Sequence, residues 1–213
     1  MLGFLFKVNK EDIHMLAEHE NAPFFPGDEV LPVSWQTLAK TVHQDNVDRG
    51  FWPADVMDRN VGEALCLIHS EVTEAFEASL YPEIMDDKVP DYPAFWVEVA
   101  DAVIRVLDLG AAHGTVFNDE YVDALANDFS YSCQYSSIND DLMEIHAAID
   151  NVLELHRKRA TSAEDGSLMY TSELNVVLGK LVGLMIKFNI PHAVIEAKLA
   201  YNRTRPYKHG KKY

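Results

Sequence analysis

Four acids in two pairs, Glu71 with Glu74 and Glu98 with Asp101, limit what this chain can become more than anything else in it. Each pair is spaced i, i+3, so on a helix both carboxylates share one face. The flanking residues predict a helix around each pair. Asn60 stands as an N-cap with Glu63 three residues on, as in a capping box. Val61, Leu65, Ile68, Val72, Ala75 and Phe76 then form an apolar stripe at helical spacing. Pro82, Pro90 and Pro93 punctuate a loop over residues 80–93. The second helix carries Val97, Ala100, Val103, Ile104 and Leu107, with Gly110 and Gly114 as its expected stops.

Folding the two helices as an antiparallel hairpin brings the acids level. Glu74 lies about six residues before the loop and Glu98 about five after it, roughly 9 and 8 Å along the axes at ~1.5 Å per residue. Glu71 and Asp101 are about nine and eight residues out, so all four carboxylates meet between the helices, at the edge of the apolar stripe. Burying that much negative charge without a counter-charge is strongly unfavourable. A hard divalent cation, Mg²⁺ or Mn²⁺, resolves it with oxygen ligands. One Glu-x-x-Glu alone is usually a solvated helix face. Two such pairs, level across a hairpin and beside apolar positions, argue for a metal site.

The rest of the chain reads as more helices. A helix is expected over residues 9–19, followed by a turn-rich loop, and another from Ser34 to about Arg49, closed by Gly50-Phe51-Trp52-Pro53. Asn118-Asp119 marks a further helix start, and Ser130 to Ser137 reads as a polar, tyrosine-rich connection. Leu142, Ile145, Ile149, Val152 and Leu155 predict a helix over residues 140–159, and a loop follows over 160–166. A helix over 171–188 carries Gly179 and Gly183, four apart, where another helix can approach closely. Pro191 is expected in the first turn of the last helix.

The tail from Lys198 to Tyr213 holds Lys198, Arg203, Arg205, Lys208, Lys211 and Lys212 and no acid, in a chain of net charge −16. Either this is a solvated terminus that balances charge, or it is an anion clamp, since Lys198 and Asn202 share a helical face and Arg205 can fork a phosphate. The overall charge argues against a general nucleic-acid binder. At 213 residues one domain is the simplest organisation. Cys66 and Cys133 suggest free thiols rather than a disulfide framework. No signal core is evident in residues 1–6, and Lys180 and Lys187 interrupt the apolar stretch 176–190, so no membrane span and a cytoplasmic setting are expected.

Glu-x-x-Glu, 23 residues, then Glu-x-x-Asp resembles the signature of the all-α (MazG-like) nucleoside triphosphate pyrophosphohydrolases. Gly50-Phe51-Trp52, Arg59-Asn60-Val61-Gly62-Glu63, Leu67-Ile68-His69-Ser70-Glu71, Asp101-Ala102-Val103-Ile104-Arg105 and the tail from Lys198 to Arg205 are similar as well. The likeness covers residues 36–114 and 190–213. It implies an all-α bundle of that type with extra C-terminal helices: residues 1–34 an extension, 36–114 the core with the metal site, 115–189 additional helices, and 190–213 a basic phosphate-binding tail. It further implies hydrolysis of a (deoxy)nucleoside triphosphate to the monophosphate and pyrophosphate, in a homodimer or homotetramer. Glu71, Glu74, Glu98 and Asp101 would hold Mg²⁺, with Glu74 activating the water. Lys198, Asn202 and Arg205 would contact the polyphosphate, and His43 and Trp52 the nucleobase.

Two other readings compete. A ferritin-like di-iron protein also uses helical carboxylates but needs two Glu-x-x-His words, and Glu11 with His14 is the one such word in the chain. A non-catalytic helical interaction protein would carry the four acids as a solvated seam.

Overall fold

The computed structural model describes residues 33–158 and 166–210. The expected all-α architecture forms: among the described residues there is no strand, only an isolated antiparallel bridge between Met85 and Pro93. In chain order the helices are α1 (Trp35–Asp48), α2 (Val61–Ser79), α3 (Ala94–Ala112), α4 (Asp119–Ser132), α5 (Ile138–Lys158), α6 (Gly166–Lys187) and α7 (Ala193–Thr204). Short 3-10 turns occupy Val56–Asp58 and Tyr207–Gly210. The helix expected over residues 9–19, with Glu11 and His14, lies outside the described residues, as do most of the expected 160–166 loop and Lys211 and Lys212.

Local chemistry sets the helix starts. Ser34 Oγ accepts from Thr37 N at 3.2 Å, Asn60 Oδ1 from Glu63 N at 3.1 Å, and Asn118 Oδ1 from Tyr121 N at 2.9 Å, each meeting an N–H that the first turn leaves open. Only half of the expected capping box is seen at Asn60, because the Glu63 carboxylate turns to the Arg59 guanidinium at 3.6 Å. α5 starts two residues earlier than its apolar pattern suggests. Ser137 and Asp140 cap it, with Ser137 Oγ donating to Asp140 Oδ2 at 2.8 Å.

α3 is the centre of the fold. It packs against α1, α2, α6 and α7, and Val97, Val99, Ala100, Val103, Val106 and Leu107 are almost completely buried. A helix apolar on most of its surface has to be enclosed, and the three carboxylates it carries, Glu98, Asp101 and Asp108, are enclosed with it. Gly110 does not stop this helix. It lies inside the last turns, where a Cβ would collide with the Phe117 ring, and the stop comes at Gly114, with φ +73°.

The connection from α2 to α3 is fixed rather than loose. Ala94 N donates to Ile84 O at 2.9 Å and Asp86 N to Tyr92 O at 3.0 Å. The buried Asp86 carboxylate accepts from Lys88 N and Val89 N at 2.9 and 2.7 Å. This hydrogen-bonded turn holds the register of the hairpin and so the level of the acids across it.

The remaining helices build outward from α3. α4 lies on α6 at the two glycines singled out by their spacing. A Cβ on Gly179 would come within 2.5 Å of Leu125 Cβ, and one on Gly183 within 2.7 Å of the Ala126 carbonyl oxygen. At the far end of α6, Lys187 Nζ donates to the fully buried Asp141 at 2.5 Å, and the Ser136 hydroxyl binds the same carboxylate. No described helix is long and apolar enough to cross a membrane.

The helix-on-helix contact at Gly183 gives a first test. Gly183→Val should destabilise the fold by about 1–3 kcal/mol, read as a lower urea midpoint, whereas Gly114→Asn, at an open left-handed position, should shift it far less. A Gly183→Val midpoint equal to wild type would contradict the close approach.

Candidate metal centre and adjoining cavity

Three of the four acids converge as their spacing predicts. One carboxylate oxygen from each of Glu71, Glu74 and Glu98 lies within 4.8 Å of the others. Asp101, one turn along α3 from Glu98, stands outside this trio because a cation holds it: Lys198 Nζ is 2.7 Å from Asp101 Oδ2. Glu71 has its own counter-charge, with Arg105 Nε at 2.6 Å and Nη2 at 2.5 Å from Oε1. Glu71 and Glu98 are buried, at 5% and 8% exposure. Glu74 is exposed.

Crowding and burial show in the protonation of these groups. Burial, then the charges of Asp101 and Glu71, push the Glu98 carboxyl up to about 8, and Lys198 only partly offsets them. Burial raises Asp101 as well, although Lys198 pulls the other way. Burial acts against the Lys88 ammonium, yet Asp87, Glu98, Asp86 and Asp101 outweigh it and raise its pKa. The turn that orders Asp86 therefore sets a basic group in the field of the centre.

The residues present fit a hard divalent cation. The donors are all carboxylate oxygens, two helices present them from opposite sides, and Glu98 holds a proton that a metal would displace. They do not suit a thiolate-loving ion, since no Cys or His joins the group.

Beside the acids a cavity of about 340 Å³ opens, and Asp101 and Arg105 line it. Its inner wall is organised by a residue that the spacing arguments passed over. Asp108 accepts from His43 Nδ1 at 2.8 Å, Asn46 Nδ2 at 2.7 Å and Trp52 Nε1 at 2.9 and 3.0 Å. Trp52 lines the cavity, and the Arg59 guanidinium stands 5.7 Å over its ring. His43 lies behind, edge-on to Trp52 at 5.0 Å, and does not reach the cavity wall.

Of the tail residues, Asn202 and Arg205 line the cavity, while Lys198 is 2% exposed and faces Asp101 instead. The tail is bound back onto its own chain. Arg49 Nη1 donates to Arg205 O at 2.8 Å, Lys208 N donates to Arg49 O at 2.9 Å, and Arg203 pairs with Asp45 at 2.8 Å. His209 packs edge-on against Phe51 at 4.8 Å, and both line the cavity. Arg59 Nε, a donor, and Asn202 Oδ1, an acceptor, are buried on cavity residues with no hydrogen-bond partner.

Arg105 and Asp108 were visible in principle. Glu98, Asp101, Arg105 and Asp108 follow at i, i+3, i+7 and i+10, one continuous polar stripe along an otherwise apolar helix. Arg59 and Asn46 leave no such trace, because only the tertiary fold brings them to the cavity. The chain has no match among protein-family profiles, curated proteins or solved structures.

The raised Glu98 carboxyl predicts an unusual pH dependence. Unfolded Glu98 loses its proton near 4.5, whereas the folded group keeps it to about 8. Between those values the folded state binds the extra proton, so this contribution to stability is complete below about 4.5 and is lost as pH rises through about 8. In EDTA, wild type should lose stability relative to Glu98→Gln across that window, and Mg²⁺ should reverse the loss. A wild-type-minus-variant difference that is flat or rises with pH would contradict the buried, crowded carboxyl.

Proposed function

We propose that this chain is a metal-dependent nucleoside triphosphate pyrophosphohydrolase of the kind its sequence resembles. It would convert a (deoxy)nucleoside triphosphate to the monophosphate and pyrophosphate, for control or housecleaning of the nucleotide pool. The observation that carries this reading is a juxtaposition: the Glu71, Glu74 and Glu98 trio adjoins a cavity that shares Asp101 and Arg105 with the centre. The cavity size falls within the range usual for small-molecule sites, and it has an aromatic wall at Phe51 and Trp52 and basic groups at Arg59 and Arg205.

In the reaction, water adds to the α-phosphorus, the bond from that phosphorus to the α,β-bridging oxygen breaks, and pyrophosphate departs with the oxygen. Glu71, Glu74 and Glu98 would hold Mg²⁺ or Mn²⁺, which would supply charge neutralisation on the phosphates and acidify water at the site. Glu74 takes the proton from the attacking water. It is the exposed acid of the three that converge, so water reaches it from the solvent side. Arg59 and Arg205 neutralise charge on the phosphates and the leaving group, joined by the Asn202 amide nitrogen. Lys198 acts through Asp101, opposing the burial that raises that carboxyl.

Copies of the chain would associate as the homodimer or homotetramer that the resemblance implies. Leu80, Tyr81, Ile84 and Met85, all exposed on the α2–α3 connection, give such copies an apolar surface to share. The reading as a non-catalytic interaction protein with a solvated acidic seam is weaker, because Glu71 and Glu98 are buried.

Pyrophosphate release from a panel of NTPs and dNTPs tests the reading. We expect release with Mg²⁺ or Mn²⁺, none with EDTA, a nucleoside monophosphate as co-product, and a kcat about 10²- to 10⁴-fold lower in Glu74→Ala. Silence across the panel from a folded, metal-loaded protein would favour the interaction protein.

A further inference from the structure

The hydrogen bonds around Asp108 decide more than where the cavity wall stands. Its carboxylate offers about four acceptor positions, and His43, Asn46 and Trp52 take most of them. The Trp52 indole N–H and His43 Nδ1 are thereby committed to the protein and cannot read a bound base. Asn46 is constrained differently. Its nitrogen is drawn to Asp108 at 2.7 Å, so its Oδ1 is turned away from that carboxylate. Reversing the amide would set one acceptor oxygen against another at that distance, which Asp108 forbids.

Asn46 lines the cavity, and no described side chain or backbone donor meets its Oδ1. Asp108 lines the same corner and adds its negative field. A group placed there meets an uncommitted amide oxygen and a carboxylate together. Further along the cavity Asn202 Oδ1 is buried with no donor. Buried acceptors are rarely left without partners, so the cavity calls for hydrogen-bond donors from its occupant.

We propose that the cavity selects nucleotides whose base carries an exocyclic amino group at the pyrimidine 4- or purine 6-position, and that Asn46 is the residue that reads it. This rests on the nucleotide-hydrolase reading above and narrows its substrate class. The amino group donates to Asn46 Oδ1 and lies within the Asp108 field, while a sugar hydroxyl donates to Asn202 Oδ1. A keto oxygen at the same base position would face acceptors and cover Asn46 Oδ1 without offering it a donor.

The test compares two pairs that exchange the amino for the keto group, CTP with UTP and ATP with ITP, in wild type with Mg²⁺. The amino member of each pair should show a kcat/KM about 10- to 100-fold higher, the cost of one unmet buried hydrogen bond. Asn46→Ala should bring both ratios toward one. Pyrophosphate release with equal or reversed wild-type ratios overturns the selection and leaves the hydrolase reading standing. Ratios that persist in a folded Asn46→Ala overturn the assignment to Asn46. No release from any of the four defeats the hydrolase reading and this inference with it. Asn46→Ala also removes a bond to Asp108, so the wild-type ratios decide the selection by themselves if that variant does not fold.

Discussion

Negative charge on a helix with no solvent face is the condition that the rest of this molecule answers. α3 is enclosed by α1, α2, α6 and α7, and it carries Glu98, Asp101 and Asp108 into that enclosure. Each is met differently. Asp101 takes the Lys198 ammonium, Asp108 collects three neutral or weakly basic donors, and Glu98 keeps its proton to about pH 8. Glu71, arriving from α2, takes the Arg105 guanidinium. Desolvated charges are tolerated only when paired or neutralised, and beside these pairings the oxygens of Glu71, Glu74 and Glu98 converge in a group that could hold a divalent cation. The same pairings hold the bundle together: Lys198 ties α7 to α3, and Arg105 ties α3 to α2.

The acidic hairpin was legible because its information is local. Spacing at i, i+3 fixes a face, a capping residue fixes a start, and loop length fixes the level of one helix against the other. Gly179 and Gly183 were legible for the same reason, since their spacing declares a close helix contact whatever the partner is. Gly110 misled because a glycine near a helix end has two meanings, a stop or a space for a neighbour, and Phe117 chooses the second.

The cavity was much less legible. Its wall takes Asn46 from α1, Trp52 and Arg59 from the following connection, Asp108 from α3 and Asn202 from α7, and no local pattern links those segments. His43 and Trp52 were singled out from the resemblance as groups that touch a base. Their observed partner is Asp108, which also draws in the Asn46 nitrogen and leaves the Asn46 oxygen uncommitted. Lys198 illustrates the same limit. Its basic character is plain in the sequence, but whether it faces a phosphate or a buried carboxylate is set by how α7 packs on α3.

Everything proposed for this site requires that the acids take a metal. Crystals grown with Mn²⁺ and measured at an energy where manganese scatters anomalously test this directly. We expect an anomalous peak about 2.1 Å from oxygens of Glu71, Glu74 and Glu98, absent in Glu71→Gln. A well-diffracting crystal with no peak between α2 and α3 at saturating Mn²⁺, and with Glu71 and Asp101 still held by Arg105 and Lys198, would show that this charge is balanced by the protein alone.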